Sequence, residues 1–419
     1  MVSGSLWAAA SVLITRLVRG ALAYLDTWIS DATDVEGVAR SLLAFGRNRR
    51  SAERGVALNK NVSIFLDALR LFAALLVFVG HAGSVFQIEL PSLVGHSAKE
   101  GVAIFFVLSG FVIAFVTQEK EPNWRAFAKA RALRMYSVVP LAAAVLIGCY
   151  FLGSTVNPAL YAAGAGGGLA GDPPSGWLLL RYVTFTNELW FDRGMIQTGA
   201  PFWSLAFEVA YYIGFAIWFY GHGRWRWAGI VLWFLVFGPR VALAFPLWLI
   251  GAVAWKALGR RWRLSPMSGG VALVALGFGG LVWRRSYATV AMPLFEWSSM
   301  QKLAFSMGYY VVLCGLIAAA IVVFAASVPD RDLWPNWSKR VIRFWAGASF
   351  TLYIAHLPVM VLLTALWPEC VGSAPRASAA SAITIVAMLF LAELGERRKG
   401  AYQRISLALR PGLRMSRQL

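Results

Sequence analysis

The sequence predicts an all-α fold: a polytopic transmembrane helical bundle of about ten spans, with both termini in the cytoplasm. Of the 419 residues, 59% are hydrophobic and only 14% are charged, whereas soluble domains carry roughly 25% charged residues. Hydrophobic blocks recur from Ile64 to Leu394, and many approach the roughly 20 residues that a helix needs to cross a bilayer. Each lipid-facing span must pair its own backbone groups, so the blocks are expected to be helices.

Composition also limits the kind of protein this is. The net charge of +19 is spread between the hydrophobic blocks, so the basic residues form no single patch for nucleic acid. The three cysteines, Cys149, Cys314 and Cys370, lie in or beside spans without CxxC spacing. They are therefore interpreted as apolar packing residues, with no disulfide framework and no bound metal.

Residues 1–60 precede the first span and are expected to form a cytoplasmic extension. Arg16 and Arg19 interrupt the first apolar run, which argues against a cleaved signal peptide. Leucines and aromatic residues between Leu6 and Trp28 share one helical face, as in a helix that lies on a membrane surface; a poorly ordered arm fits equally well. Residues 61–398 are expected to form the membrane domain, and residues 399–419 a basic cytoplasmic tail.

The predicted spans follow the hydrophobic blocks in order. They are residues 64–83, 101–117, 135–153, 202–220, 226–238, 241–257, 267–283, 303–325, 344–367 and 377–394. The fifth and sixth are ambiguous, because Gly238-Pro239-Arg240 alone interrupts the apolar stretch from Trp227 to Trp255. That stretch forms either one long tilted helix or two short helices joined by a tight reversal.

The distribution of basic residues favours two helices there. With ten spans, 30 of the 39 Lys and Arg residues fall on the inner side and eight, including Arg240, on the outer side. A single long helix would turn the later loops and the basic tail outward, against the positive-inside rule.

The largest outer loop is predicted from Gly153 to Pro201. It contains a flexible Gly-rich run, residues 162–168. Some of its aromatic and acidic residues suit either sugar recognition or interfacial anchoring: Trp177, Trp190, Asp172 and Asp192.

Two ionisable residues in the first span are candidates for function, because a charge inside a span is costly unless it is paired. Arg70 and His81 are eleven positions apart, which places them on nearly the same helix face about 16 Å apart. Arg70 is expected toward the cytoplasm and His81 toward the outer surface. A snorkelling Arg and a packed core His are the structural alternative.

Four further blocks accompany this pair. They are Gly101–Phe111 in the second span, Phe127–Tyr136 on the following inner loop, Phe202–Glu208 at the start of the fourth span, and Ser349–Pro358 in the ninth. Taken together with Arg-x10-His, this ordered set is similar to the acyltransferase 3 family of bacterial integral-membrane acyltransferases. The resemblance covers residues 61–398.

The resemblance implies a donor, acyl-CoA, that enters from the cytoplasmic side, and an acceptor that is modified outside. Arg70 and His81 match the essential Arg-x10-His pair of the family, and Arg131 and Arg134 match its R-x-x-R donor motif. The chain departs from the family where R-[IL]-Y-P becomes Arg134–Ser137 and where the terminal E-x-P becomes Glu396–Arg398.

The residues themselves suggest compatible roles. Arg131 and Arg134 share a helical face at the inner surface, suited to the phosphates of coenzyme A; ordinary positive-inside charge is the alternative. Glu208 is expected at the depth of His81, where a carboxylate could orient the imidazole. Four residues could line a substrate cavity: His356, Ser349, Tyr353 and Trp203.

The sequence therefore predicts an acyltransferase of the bacterial inner membrane. His81 is the expected general base or covalent acyl carrier, Arg70 holds the donor phosphate or carbonyl, and acetyl-CoA is the expected donor. The expected acceptor is a hydroxyl of an extracytoplasmic carbohydrate or glycolipid; its identity and the oligomeric state stay open. A transporter or flippase for a lipid-linked glycan is the alternative, which an internal repeat would favour.

Overall fold

The computed structural model describes residues 58–95, 97–162, 171–258, 263–287 and 300–398. The N-terminal extension and the C-terminal tail, with the amphipathic helix predicted in the former, lie outside the described residues. Within the described ranges the chain is helical, and a single isolated bridge joins Asp172 to Ile196. The prediction of an all-α bundle is confirmed for this part of the chain.

The helices follow the hydrophobic blocks. We number them α1 Lys60–Val85, α2 Ala98–Glu119, α3 Trp124–Tyr136, α4 Val139–Val156, α5 Gly176–Thr184, α6 Trp203–Tyr220, α7 Gly223–Leu258, α8 Pro266–Tyr287, α9 Met300–Ser327, α10 Asn336–Ala346, α11 Ser349–Leu366 and α12 Ala374–Leu394. Shorter turns occur at Ser92–Gly95, Pro158–Ala162, Ala200–Phe202, Pro368–Cys370 and Glu396–Arg398.

Nine helical segments in the described ranges are long and apolar enough to cross a bilayer. One of them, α7, has 36 residues, which as a straight helix would extend about 54 Å. That length greatly exceeds the roughly 30 Å hydrocarbon core. A break inside α7 is therefore needed if it is to stay within the bilayer.

The break lies at Gly238, whose φ of 83° and ψ of 179° are not helical. We call residues 223–237 α7a and residues 239–258 α7b. Along α7a, Gly229 lies against Ile217 and Trp233 donates to the carbonyl of Ala210, so α7a runs antiparallel to α6. Along α7b the order is opposite, with successive contacts from Arg240 to Phe207, Phe245 to Tyr211 and Trp248 to Phe215.

The chain thus reverses direction at Gly238, as the two-helix interpretation predicted. Counting α7a and α7b separately gives ten apolar segments in the described part of the chain. The orientation of the termini stays a prediction.

The centre of the bundle is formed by α2 and α11, the most buried of the apolar helices. A side chain on Gly110 of α2 would collide with the carbonyl of Trp248, and one on Gly251 of α7b would collide with that of Val107. These two glycines let the backbones of α2 and α7b approach closely.

Two hydrogen bonds establish the depth of the helices relative to each other. Ser97, just before α2, donates to the carbonyl of Leu76 in α1 over 3.2 Å, so the start of α2 lies near the His81 end of α1. At the opposite end, Arg70 donates to the carbonyl of Ala346 over 2.8 Å. We use "His81 end" and "Arg70 end" for the two ends of the bundle.

The segment between α4 and α6, predicted as an outer loop, is folded into the bundle in its described part, residues 171–202. Tyr182 and Ile196 are 1% and 0% exposed, and the Tyr182 hydroxyl donates to the carbonyl of Gly199. The Tyr136 hydroxyl, at the end of α3, donates to the carbonyl of Val183 over 2.9 Å. Helix α4 starts three residues after Tyr136 and extends from there to the His81 end, so Tyr136 lies toward the Arg70 end. Because Val183 contacts Tyr136, the segment reaches deep into the bundle toward the Arg70 end.

Candidate active site

Two histidines from distant parts of the chain meet at the His81 end. His81 is near the end of α1, and His356 is fully buried in the middle of α11. Nδ1 of His81 lies 2.8 Å from Nε2 of His356. The ring centroids are 5.1 Å apart and the planes are inclined by 20°, so the two rings are held nearly parallel.

A backbone carbonyl determines which ring nitrogens carry protons. Nδ1 of His356 lies 2.7 Å from the carbonyl oxygen of Leu352, which can only accept, so Nδ1 of His356 must be protonated. A fully buried imidazole without a counter-charge is neutral, and Nε2 of His356 is therefore an acceptor. Nδ1 of His81 must then donate, and in the neutral imidazole this leaves the lone pair on Nε2 of His81 available for chemistry.

Arg70 lies at the other end of α1, where two polar groups contact its guanidinium. Its Nη2 donates to the carbonyl of Ala346 over 2.8 Å and lies 3.4 Å from Asp67. The Ser349 hydroxyl donates to the same carbonyl over 2.8 Å. Ser349, predicted to line a substrate cavity, thus helps hold the connection between α10 and α11 beside Arg70.

Arg134 of α3 lies in the same region. It interacts electrostatically with Arg70, Glu208 and Glu396, and its guanidinium lies 5.9 Å from the ring of Phe350. The Nε atoms of Arg70 and Arg134 are buried and have no hydrogen-bond partner among the described residues. Buried donors are normally paired, so these two atoms are suited to an anionic ligand.

Arg131, the first residue of the R-x-x-R motif, is already paired. Its guanidinium lies 2.7 Å from Glu121, and it stacks 5.4 Å from the Phe127 ring and 5.8 Å from the Tyr212 ring. Burial raises the pKa of Glu121, and the charge of Arg131 offsets part of that effect. Arg131 and Arg134 both approach Tyr212, in agreement with their predicted common helical face.

Glu208 is not beside His81, as predicted, but at the Arg70 end. Its Oε1 accepts hydrogen bonds from the Ser109 hydroxyl over 2.8 Å and from the Tyr212 hydroxyl. Ser109 is twelve residues further along α2 than Ser97, so it lies about 18 Å away from the Leu76 level, in the direction opposite to His81. His356, rather than Glu208, is the hydrogen-bond partner of His81.

The folded-in segment before α6 explains why Glu208 lies deeper in the bundle than predicted. The prediction assumed that Trp203 marks the outer surface. Instead, Phe202 and Ser204 are buried, and Trp203 packs edge-on against Phe106, with centroids 6.3 Å apart. Helix α6 therefore begins inside the bundle, and Glu208 lies correspondingly deeper.

Tyr353 lies between the two ends. Its hydroxyl is 2.6 Å from the Ser204 hydroxyl and 3.3 Å from the carbonyl of Pro201. It lies one helical turn from His356 on α11. Of the four predicted cavity residues, His356 and Tyr353 lie together on α11, and Trp203 is next to Ser204, which contacts Tyr353. Ser349 lies at the Arg70 end.

Sequence reasoning missed several polar residues of this site. Ser109 and Tyr212 bond to Glu208, and Glu396 accepts from the Thr351 amide over 3.0 Å and its hydroxyl over 3.1 Å. Glu396 thereby caps the first turn of α11, which carries His356. The sequence places Glu396 in the segment that stands where the family has E-x-P. Local spacing cannot show that Glu396 caps a helix at Thr351, 45 residues earlier in the chain.

The sequence also matches a known family and a curated relative. A family model described as an acyltransferase domain matches residues 63–393. The acyltransferase MdmB of Streptomyces mycarofaciens is 32% identical over 167 residues, an alignment that covers 37% of this chain and 38% of that protein. No solved structure matches the chain.

Proposed function

Because the chain belongs to the acyltransferase 3 family and is a multi-pass membrane acyltransferase, we propose that it acylates a carbohydrate hydroxyl across the membrane. The donor is cytoplasmic acyl-CoA, with acetyl as the transferred group. The acceptor is an extracytoplasmic carbohydrate or lipid-linked glycan. The membrane is the cytoplasmic membrane of a bacterium.

The donor binds at the Arg70 end, which on this proposal faces the cytoplasm. Basic residues of α3 and α10 gather there, as the positive-inside rule expects for a cytoplasmic surface. The three arginines Arg70, Arg131 and Arg134 each have a buried Nε without a partner among the described residues. Guanidinium groups with free donors suit the phosphates of coenzyme A.

The thioester reaches His81 along the α1 face. Arg70 and His81 are separated by about 16 Å of helix, a distance that an extended phosphopantetheine arm can bridge. The nucleotide can therefore stay at the Arg70 end while the acyl group arrives at the His81 end.

The chemistry follows from the tautomer of His81. In direct transfer, Nε2 of His81 takes the proton of the acceptor hydroxyl, the oxygen attacks the thioester carbonyl, and the C–S bond breaks. The imidazolium then returns the proton to the leaving thiolate, so that ester and coenzyme A thiol are the products. Throughout, Nδ1–H of His81 stays hydrogen-bonded to His356.

Covalent transfer uses the same lone pair. Nε2 attacks the thioester, the C–S bond breaks, and an acyl-imidazolium forms as the coenzyme A thiolate leaves. The acceptor hydroxyl then attacks that acyl group, the C–Nε2 bond breaks, and the hydroxyl proton passes to the thiolate, so that ester, coenzyme A thiol and neutral His81 result. Both routes need an unprotonated Nε2 on His81. The single observation that carries the proposal is therefore the hydrogen-bond chain from Leu352 through His356 to His81.

Mass spectrometry of envelope glycans tests the proposal. Cells that express the protein should contain glycans heavier by one acyl group per modified hydroxyl, released by mild base, and cells without it should lack them. A change in the amount or location of glycans without any ester would indicate the alternative, a transporter or flippase, and would contradict the proposal.

A further inference from the structure

Helix α10 exposes an apolar stripe that no described element covers completely. Trp337, Val341 and Phe344 are 65%, 48% and 49% exposed. They are four and three residues apart, so they lie on one face of the helix. On the opposite face Ala346 is buried, where α10 packs on α1.

A third face of α10 is basic. Arg340 and Arg343 are exposed, and Lys339 lies 2.5 Å from Asp332 in the preceding loop. On a helical wheel these three residues follow one another between the buried face of Ala346 and the edge of the apolar stripe. An apolar stripe bordered by Lys and Arg is typical of a helix that lies in the plane of a membrane interface.

The position of α10 supports this placement. It joins the end of α9 to the start of α11, two segments that are long and apolar enough to span a bilayer. A helix of 11 residues between two such ends lies at the level of the lipid headgroups, where anionic lipids attract Lys and Arg.

We propose that α10 binds anionic phospholipid headgroups through Arg340 and Arg343, with Trp337 and Val341 in the acyl region and Phe344, on which Arg397 stacks, at its border. The anionic lipid thereby holds the donor-binding residue Arg70 in place. The lipid site follows from α10 alone, whereas its effect on catalysis rests on the proposed function.

Two contacts connect α10 to Arg70. The carbonyl of Ala346, the last residue of α10, accepts from Arg70. Arg343 interacts electrostatically with Asp67, which lies 3.4 Å from Arg70. Lipid that anchors α10 therefore fixes both partners of the Arg70 guanidinium, and acyl transfer should increase with the anionic fraction of the bilayer.

Native mass spectrometry of the full-length protein tests the lipid site directly. The purified protein is offered equal amounts of phosphatidylglycerol and phosphatidylcholine. The wild type should retain phosphatidylglycerol preferentially, and the double variant Arg340→Gln/Arg343→Gln should lose about an order of magnitude of that preference, since each basic residue near an anionic surface contributes to binding. Wild-type protein without any preference would overturn the proposal.

A matched pair of variants controls for charge. Arg125 and Lys129 of α3 are also basic residues at the same end, Arg125 exposed and Lys129 half-buried, so Arg125→Gln/Lys129→Gln removes the same charge from another helix. This control should keep the phosphatidylglycerol preference. An equal loss in both double variants would show a general effect of charge and would overturn the assignment to α10.

Acyl transfer in proteoliposomes tests the coupling separately. Activity of the wild type should rise with the phosphatidylglycerol fraction, and that of Arg340→Gln/Arg343→Gln should stay flat. If the activity of both proteins rose equally with the phosphatidylglycerol fraction, the proposed link between lipid binding at α10 and acyl transfer would be overturned. If the wild type transferred no acyl group in any lipid, the proposed function would fail, while the native mass spectra would still decide the lipid site.

Discussion

At the scale of single residues, the protonation of His81 depends on a partner 275 positions away in the chain. The carbonyl of Leu352 fixes the tautomer of His356, and His356 in turn fixes that of His81. A histidine that could present either nitrogen would spend part of its time with the reactive one protonated. His356 is thus a positioning residue for the proposed reaction.

Replacing His356 tests this role. His356→Leu removes the acceptor for Nδ1–H of His81, and we expect kcat to fall about 10- to 100-fold, the usual effect of losing a partner that orients a histidine. The KM for acyl-CoA should change little, because the donor phosphates bind at the Arg70 end.

His356→Gln is the matched variant, since its amide oxygen can accept from Nδ1–H of His81. It should recover a substantial part of kcat at the same thermal stability. An identical loss in both variants, accompanied by a raised KM, would indicate that His356 only fills space.

Glu208 gives a second prediction at this scale. Glu208→Gln keeps an acceptor for Ser109 and Tyr212 but removes a charge that Arg134 senses. We expect a changed KM for acyl-CoA and an unchanged pH dependence of kcat. A shifted pH profile of kcat would instead place Glu208 in contact with His81, as the sequence alone had suggested.

At the scale of elements, the reversal in α7 depends on one backbone conformation. Gly238 has φ 83° and ψ 179°, a region that essentially only glycine adopts. A Cβ there would also lie 2.7 Å from the Cα of Trp190. Trp190 itself donates to the carbonyls of Phe237 and Leu235, so the folded-in segment and the α7 reversal stabilise each other.

Gly238→Ala should therefore destabilise the protein by about 1–3 kcal/mol. Thermal unfolding of purified protein in detergent measures the change. Gly279→Ala in α8 is the control, because a Cβ at Gly279 meets no described atom within 4 Å, and alanine favours a helix interior. Equal melting temperatures for Gly238→Ala and the wild type would contradict the reversal.

The helices themselves were predictable to within a few residues, because hydrophobic runs, Pro and Gly mark where each one ends. The ninth predicted span, residues 344–367, differs most, since it merges the end of α10 with α11. The Gly238-Pro239 pair marks the position of the chain reversal in the sequence. The depth of α6 could not be predicted, because the burial of residues 196–202 depends on Tyr182 and other distant partners.

The candidate active site was also predictable only within single helices. Arg70 and His81 were identified because they share a single helix, and helical periodicity determines their spacing. The contact of His81 with His356 joins two helices far apart in sequence, and nothing in either local pattern specifies it. Glu208 was identified as a functional candidate and misplaced for the same reason.

At the scale of the whole molecule, the proposed mechanism needs the Arg70 end to face the cytoplasm. A reporter that is active only in the periplasm, fused after Ser265, should therefore be inactive, because residues 263–265 follow α7b. Fusion after Gly372, between α11 and α12, should give high activity. High activity after Ser265 would contradict the reversal of the chain at Gly238.

Removal of the His81 imidazole is the sharpest test of the proposed mechanism. Ester-linked acyl groups on envelope glycans are quantified by mass spectrometry in cells that contain either the wild type or His81→Ala at matched membrane levels. Removing a positioned acid–base group typically costs about 10²–10⁴-fold, so His81→Ala should leave the glycans essentially unmodified. Near-normal acylation by His81→Ala would contradict a chemical role for His81 in the transfer.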